Sequence, residues 1–282
     1  MSTQFPQPGI HIGVPAATYH AFDAVSASRL QKLSRSPLHC RHAIDHPDQH
    51  DTPALAFGRA VHAAILEPDV FHQQFAVAPN CDRRTKDGKA AYEAFVAANQ
   101  GKEIVAPDDF ASAVRIAEVV HAHPFAGKLL KLRESTEVSA VWRDEKTGLT
   151  CKGRADALSP RVKTVIDIKT TEDASPDEFE RSVFKWGYYR QAAFYLDGLK
   201  ACGLDYTRFV IVAVEKKPPH GICVFQLDED SIDYGRKDYR SLLNVYRRCV
   251  DSGEWPGYPP QVQTIGLPEW ARRRLDMVVE AA

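Results

Sequence analysis

The chain has 282 residues, of which 44% are hydrophobic and 26% charged, enough apolar surface for a substantial core in an ordinary globular protein. No apolar run approaches the roughly 18–20 residues of a membrane span, and the N-terminus lacks the basic and apolar stretches of a secretory signal, so we expect a cytoplasmic protein without a membrane partner. The net charge of −1 neither favours nor excludes DNA binding, and six scattered cysteines without a C-x-x-C pair argue against a zinc ribbon or an iron–sulfur cluster.

The first half of the chain has the sequence pattern of a helical region with an irregular start. Residues 1–25 contain several prolines and glycines and predict no regular element. Capping residues, prolines and apolar periodicity then predict a series of helices. Their ranges are 27–33, 37–44, 54–66, about 88–99 and 107–122. Residues 79–89 are typical of a polar, basic loop.

Beyond residue 130 the apolar pattern changes from helical to alternating. Turn residues separate the predicted strands, and two longer helices follow. The predicted strands are 136–143, 149–158, 163–170, 208–214 and 222–227, and the predicted helices are 176–200 and about 229–251, with a short helix beginning near Pro268. This order predicts an α/β fold with a central mixed sheet. We expect one domain over residues 1–282, with a helical part at about 20–125 and a sheet-bearing core at about 134–250.

Asp156, Asp167 and Lys169 form the most informative pattern. Side chains alternate along a strand, so Asp167 and Lys169 share one face while Ile166 and Ile168 enter the core, and a tight turn after the preceding strand would bring Asp156 beside Asp167. Two adjacent carboxylates repel each other unless a cation lies between them, and oxygen ligands suit Mg²⁺ or Mn²⁺. The lysine can then position or deprotonate an attacking water, or stabilise charge developing on a phosphate. The alternative interpretation is a surface salt bridge on a hairpin.

Three further features favour a site over a salt bridge. His62 lies on a predicted helix among small alanines, which allow close approach to the sheet. Glu137, on the strand before Asp156, offers another carboxylate. Tyr188, Gln191 and Tyr195 share one helical face. Each has a simpler explanation: a core or solvent-facing histidine, an ordinary strand glutamate, and the polar edge of an amphipathic helix.

The order and number of these motifs resemble the PD-(D/E)xK nuclease superfamily, and most closely the RecE-type exonucleases (exodeoxyribonuclease VIII) and the related RecB-type nuclease domains. The matching motifs extend over most of the chain. They are Ser26-Ala-Ser28, Ser36-Pro37, Gly58-Arg-Ala-Val-His62, Leu66-Glu-Pro68, residues 83–89, Gly153-Arg-Ala-Asp156, Asp167-Ile-Lys-Thr-Thr171, Gly187-Tyr188 through Tyr195, and Trp255-Pro-Gly-Tyr258. The implied fold is a restriction-endonuclease-like core, with a central mixed β-sheet flanked by helices.

The resemblance also implies roles for the site residues. Asp156 and Asp167 are similar to the metal carboxylates, Lys169 to the catalytic lysine and His62 to the histidine ligand of the RecB and RecE branch. The backbone carbonyl of Ile168 would be a further metal ligand. Other residues that it associates with the catalytic site are Glu137, Gln191 and Tyr195.

A cofactor, an activity and partners follow from the same resemblance. It implies a Mg²⁺-dependent exonuclease, with Mn²⁺ as a substitute, that digests one strand of linear duplex DNA from 5′ to 3′ and leaves 3′ single-stranded tails for phage-type recombination. It implies a ring-shaped homo-oligomer, a trimer or tetramer, around duplex DNA ends. It also implies a RecT-like single-strand annealing protein as a partner.

Residues outside the core pattern are candidates for DNA binding. Arg83, Arg84, Lys86 and Lys89 in the basic loop could grip the phosphate backbone, and Tyr188 could reach a phosphate. A solvated charge run explains the basic loop equally well.

Three alternatives remain at this point. The same site could serve a structure-specific or single-strand endonuclease, or the fold could be an inert DNA-binding module. A zinc site is the third alternative, although Pro47 interrupts the helical face that its histidines would share. Its candidate ligands are His39, Cys40, His42, His46 and His50.

Overall fold

The structure is a computed structural model that describes residues 7–46, 52–269 and 271–273. The strands within these ranges are β1 (Gly9–His11), β2 (Phe75–Val77), β3 (Glu103–Val105), β4 (Ser135–Arg143), β5 (Thr150–Ser159), β6 (Thr164–Thr171), β7 (Arg208–Glu215) and β8 (Ile222–Gln226). The helices are α1 (Ala16–Ala21), α2 (Ala27–Arg35), α3 (Pro37–Asp45), α4 (Pro53–Leu66), α5 (Pro68–Gln74), α6 (Lys86–Ala98), α7 (Pro107–Ala122), α8 (Ala126–Lys131), α9 (Pro176–Trp186), α10 (Tyr188–Ala201) and α11 (Glu229–Ser252), with a 3₁₀ turn at Pro160–Val162.

Side-chain caps fix the start of several helices. Each capping oxygen accepts a hydrogen bond from the backbone N–H three residues later, and so satisfies one of the donors left free in the first helical turn. The capping residues are Ser26 of α2, Ser36 of α3, Thr52 of α4, Thr85 of α6 and Asp228 of α11.

A six-stranded sheet in the order β1-β4-β5-β6-β7-β8 forms the centre of the fold. Its strand pairs are antiparallel except for β6 and β7, which are parallel and are connected through α9 and α10. The predicted α/β fold with a central mixed sheet flanked by helices is therefore confirmed. The short strands β2 and β3 form a separate parallel pair.

Two hydrophobic cores cover the two faces of the sheet. The α10 core lies between the sheet and α2, α9, α10 and α11, and includes Val165 of β6. The α4 core lies between the sheet and α4, α5, α7 and α8, and includes Ile166 and Ile168. Alternate residues of β6 thus enter opposite cores, as the sequence pattern predicts. No helix in the described ranges has both the length and the apolar character that a membrane crossing requires.

The structure corrects the sequence-based prediction at the short elements. Residues 1–25 were expected to be irregular, yet β1 pairs with β4 and α1 follows it. The elements α5, β2, β3 and α8 were also not predicted. A strand of three residues or a helix of six or seven shows too little periodicity to be recognised, because its stability comes from pairing and packing with distant segments.

Two predicted element boundaries differ from those in the structure, each for a local reason. The helix expected over 176–200 is divided at Gly187, whose φ of 70° is left-handed and ends α9. A Cβ at Gly187 would lie 2.5 Å from Nη2 of Arg190, so a larger residue would also displace that guanidinium. The loop expected over 79–89 ends early, because Thr85 caps α6 and places Lys86 and Lys89 on that helix.

Close packing of α10 against α11 gives a stability prediction. A Cβ at Gly235 of α11 would lie 2.3 Å from the carbonyl oxygen of Tyr189 and 2.9 Å from Cβ of Ala193. Gly235→Ala is expected to lower the free energy of unfolding by about 1–3 kcal/mol, because backbone atoms of α10 must move. Gly58→Ala in α4, where a Cβ meets nothing within 4 Å, should instead raise it by about 0.5–1 kcal/mol. Urea denaturation of both variants tests the pair, and an equal effect of the two substitutions would contradict the packing argument.

Candidate active site

The site forms where β5 and β6 separate. The antiparallel pairing of these strands includes Ala157 opposite Ile166 and extends no further toward Asp156. There the side chain takes over the role of a backbone partner: Oδ2 of Asp156 accepts a hydrogen bond of 2.7 Å from the backbone N–H of Ile168. Asp156 is thereby fixed beside Asp167, as the sequence predicts.

An irregularity in β4 and β5 changes which way the carboxylates face. Ala155 and Leu158 both enter the α10 core although they are three residues apart, while Ala157 enters the α4 core. The alternation of faces therefore slips by one residue around Asp156. On β4, Glu137 has a φ of 50°, a left-handed conformation that is uncommon for a residue with a side chain. Such local departures from regular strand geometry redirect side chains beside functional sites.

Asp167 and Lys169 lie on the same face of β6, as predicted, and form an ion pair. Nζ of Lys169 lies 2.6 Å from Oδ2 of Asp167, whose side chain is 2% exposed. Nε2 of Gln191 on α10 donates a hydrogen bond of 2.9 Å to Oδ1 of Asp167. Within the described residues, Oδ2 of Asp167 is buried and has no hydrogen-bond partner beyond its contact with the ammonium. A buried anionic oxygen in that position can accept a further cation.

The carboxylates of the site repel each other in a poorly solvated environment. Burial raises the pKa of Asp167 to about 6, with a contribution from the charge of Asp156 and opposition from Lys169. Burial likewise raises the pKa of Glu137 to about 7, again reinforced by Asp156, while Arg154 opposes the shift. Burial alone would lower the pKa of Lys169, but the two aspartates outweigh it and raise that pKa. The centre therefore has a deficit of positive charge.

His62, Glu137 and Asp156 have the geometry of a metal site. One ligand atom from each lies within 4.8 Å of the others, and Nδ1 of His62 lies 3.5 Å from Oδ2 of Asp156. An imidazole with carboxylate oxygens fits Mg²⁺ or Mn²⁺. The unsatisfied oxygen of Asp167 beside this group is consistent with the same fit. Asp167 itself directs its oxygens to Gln191 and Lys169, so the converging group contains Glu137 in its place.

His62, Glu137, Asp156 and Lys169 line one open cleft of about 1530 Å³, whereas Asp167 is buried and does not line it. Tyr188 places its ring 5.0 Å from Nζ of Lys169. Tyr195 packs against β5, where a Cβ at Gly153 would lie 3.1 Å from its ring, and burial raises the pKa of this tyrosine well above its ordinary value. The predicted site residues that the structure brings to the cleft are His62, Glu137, Asp156, Ile168, Lys169, Tyr188, Gln191 and Tyr195.

The predicted basic loop is not part of this lining. Arg83 lies over the ring of Tyr92 at 4.0 Å, and Arg84 is paired with Asp82. Lys86 and Lys89 lie on α6 and do not line the cleft either. The structure therefore does not bring these four cations to the carboxylates.

The expected zinc ligands do not converge. Nδ1 of His39 is within hydrogen-bond distance of the Ser36 hydroxyl, and His42 stacks on His46. Cys40 is buried, and His50 lies outside the described residues. In the described part of the chain, the group formed by His62, Glu137 and Asp156 is the only one with metal-binding geometry.

Arg154 is a site residue that the sequence analysis missed. Its guanidinium donates hydrogen bonds to Oγ of Ser139 and to the carbonyl oxygen of Val14, and Nη1 lies 3.7 Å from Oε2 of Glu137. It therefore links Glu137 to the segment before α1. A charged residue two positions before Asp156 on the same strand was the signal that could have revealed it.

Comparison with known proteins agrees with this geometry. Residues 26–267 match the model of a family described as a PDDEXK-like domain of unknown function, DUF3799. The chain belongs to this family. The match spans α2 to the segment after α11 and includes every residue of the cleft named above except Val14. No curated protein matches the chain.

Two solved structures align with the chain, and the first is similar in fold. A protein from Eubacterium rectale named putative exonuclease has a TM-score of 0.60 at 14% identity, with 93% of this chain and 98% of that chain covered. A phage related exonuclease from Haemophilus somnus 129PT aligns at 15% identity over 84% of this chain and 99% of that chain, with a TM-score of 0.33. At these identities the first likeness concerns the fold alone, and it agrees with the PDDEXK-like family assignment.

The converging ligands predict a measurable metal affinity. His62→Ala is expected to weaken Mn²⁺ binding by about tenfold or more, because one of three convergent ligand atoms is lost. Isothermal titration calorimetry of the purified full chain measures this directly. His72→Ala on the neighbouring helix α5 is the matched control, since it removes a histidine outside the cluster. Equal Mn²⁺ affinity in the wild type and His62→Ala would show that His62 is not a ligand.

Proposed function

We propose that the protein is a divalent-cation-dependent DNA exonuclease that acts on linear duplex ends. The observation that carries this proposal is the arrangement of Asp156 and Lys169 in the lining of an open cleft, with the Lys169 ammonium against a buried, otherwise unpaired carboxylate oxygen of Asp167. A surface salt bridge does not explain this burial, because the Asp167 side chain is almost completely enclosed. An inert DNA-binding module would not require Asp156, Asp167 and Lys169 together.

The metal ligands and the Lys169 ammonium would have separate chemical roles. His62, Glu137, Asp156 and Asp167 would hold Mg²⁺, or Mn²⁺ in its place. When bound, such an ion supplies positive charge to phosphate oxygens and lowers the pKa of water at the site. Lys169 offers hydrogen-bond donors and positive charge for an attacking water or a phosphate oxygen. Gln191 holds Asp167 in place through its amide.

The finer features of the proposal rest on the order of motifs and on the fold likeness. Within the PDDEXK-like family we assign the chain to the RecE-type branch, with 5′-to-3′ digestion that leaves 3′ single-stranded tails for phage-type recombination. The name of the Eubacterium rectale protein favours an exonuclease over an endonuclease. A ring-shaped trimer or tetramer, a RecT-like annealing partner and a cytoplasmic location belong to the same proposal.

Substrate topology tests the exonuclease assignment. The wild-type chain with Mg²⁺ is expected to release mononucleotides from a linear duplex labelled at one 5′ end and to leave the matched covalently closed circle intact. Label appearing first as mononucleotides from the 5′ end supports the proposed polarity. Cleavage of the closed circle would instead identify an endonuclease using the same residues, and the absence of hydrolysis with either Mg²⁺ or Mn²⁺ would contradict the nuclease proposal.

Lys169→Ala tests the role of the ammonium. It is expected to lower kcat on linear duplex by about 10²–10³, the effect of removing one group that stabilises charge in the transition state, while DNA binding is retained. Lys217→Ala is the matched control, because Lys217 is exposed, pairs with Glu172 and does not line the cleft. Near-normal cleavage by Lys169→Ala, beside an equally active control, would remove Lys169 from the mechanism.

Gln191→Leu tests whether the hydrogen bond from Gln191 positions the carboxylate of Asp167. Loss of the 2.9 Å hydrogen bond leaves Oδ1 of a buried carboxylate without its partner, and we expect hydrolysis to fall by about 10- to 100-fold. Because Gln191 acts through Asp167, the Mg²⁺ concentration for half-maximal activity should rise as well. Gln191→Glu should be worse than Gln191→Leu, since it adds a carboxylate where repulsion is already present. An unchanged Mg²⁺ dependence in both variants would limit Gln191 to a packing role.

A further inference from the structure

An exposed indole lies at the edge of the cleft that contains the carboxylates. Trp186, the last residue of α9, is 52% exposed and lines the cleft, although large apolar side chains are normally removed from water. Tyr188, two residues later, places its ring over the Lys169 ammonium.

The corner that presents this indole is rigidly supported. Gly187 turns the chain between α9 and α10 with a left-handed φ, and the amide of Gln31 donates a hydrogen bond of 3.2 Å to the carbonyl oxygen of Lys185. The guanidinium of Arg190, only 4% exposed, bonds to Gln31 and donates a hydrogen bond of 2.7 Å to Asp238. The backbone that carries Trp186 is therefore anchored to α2 and α11.

One lysine contacts the indole and a second lines the same cleft. Lys185 places Nζ 4.8 Å from the ring centre of Trp186. Lys32 on α2 lines the same cleft. Neither lysine has an ion-pair partner among the residues that the structure describes. An aromatic face flanked by unpaired cations is the combination that binds single-stranded nucleic acid, because bases stack on the ring while cations meet phosphates.

We infer that Trp186 is a stacking platform for an unpaired base of the substrate strand, and that the cleft accepts its DNA locally single-stranded. This inference rests on the proposed nuclease function and specifies the form of its substrate. Stacking requires a base with an open face, and a paired internal base does not offer one. Phe184 offers a contrast two residues earlier: it is 77% exposed but stacks on Tyr189 and does not line the cleft.

Two oligonucleotides of equal charge separate stacking from phosphate binding. One is a short fluorescein-labelled oligothymidylate, and the other is an abasic strand of the same length and label. Anisotropy titrations in EDTA keep both strands intact, which a gel verifies. The wild-type chain is expected to bind oligothymidylate more tightly than the abasic strand, and Trp186→Ala to remove about 5- to 150-fold of affinity for oligothymidylate only, the range of a single base–aromatic stack. Trp186→Phe should retain most of the preference, and Phe184→Ala should retain all of it.

Several outcomes would overturn the stacking platform. They are a wild-type chain with no preference for oligothymidylate, an unchanged preference in Trp186→Ala, an equal loss with both probes, or an equal loss in Phe184→Ala. A lower molecular mass of Trp186→Ala in sedimentation would show that the indole instead packs against a second copy of the chain. The proposed nuclease function fails separately, through absence of Mg²⁺-dependent hydrolysis by the wild-type chain, because the binding assay contains no metal.

Discussion

The burial of a carboxylate beside other carboxylates is the constraint on which the rest of this structure depends. Asp167 lies almost out of contact with water, next to Asp156, and one of its oxygens has only the Lys169 ammonium for a partner. Such an arrangement is costly for an isolated fold, because each charge loses hydration and the carboxylates repel each other. It persists because the surrounding sheet and helices allow these side chains no alternative position.

The two cores supply that restraint from opposite faces of β6. Ile166 and Ile168 anchor the strand in the α4 core, so the residues between and after them must face α10. There Gln191 meets Asp167, while α4 brings His62 to Asp156 from the other side. Groups from both layers can meet only where β5 and β6 separate, because an intact ladder would keep them on opposite sides of the sheet. The irregularity around Asp156 is thus what makes a joint site possible.

The dependence of the site on both strand alternation and the packing of distant helices explains which of its parts the sequence could predict. Asp167, Lys169 and their isoleucine neighbours follow from alternation along one strand, a local property. The convergence of Glu137 with His62 does not, because it depends on a left-handed backbone at Glu137 and on the packing of a distant helix. The same distinction holds for the fold: the capped helices and the longer strands are recognisable locally, whereas β1 exists only because β4 is available to pair with it. The break in the helix expected over 176–200 could have been predicted from Gly187. The packing of the Arg190 guanidinium against that glycine could not.

The charge balance of the cleft gives a physical reason why the proposed nuclease would need a cation before it could bind a phosphate. The carboxylates of Glu137, Asp156 and Asp167 face the ammonium of Lys169 and the guanidinium of Arg154, so the ionised centre is net negative and repels a phosphodiester. A divalent ion reverses that sign, and burial magnifies the difference because little water screens it. The raised pKa values of Glu137 and Asp167 express the same imbalance in the protein alone. Under the proposed function, the acidic surplus that destabilises the isolated fold is the feature that would attract a cation and, through that cation, a DNA phosphate.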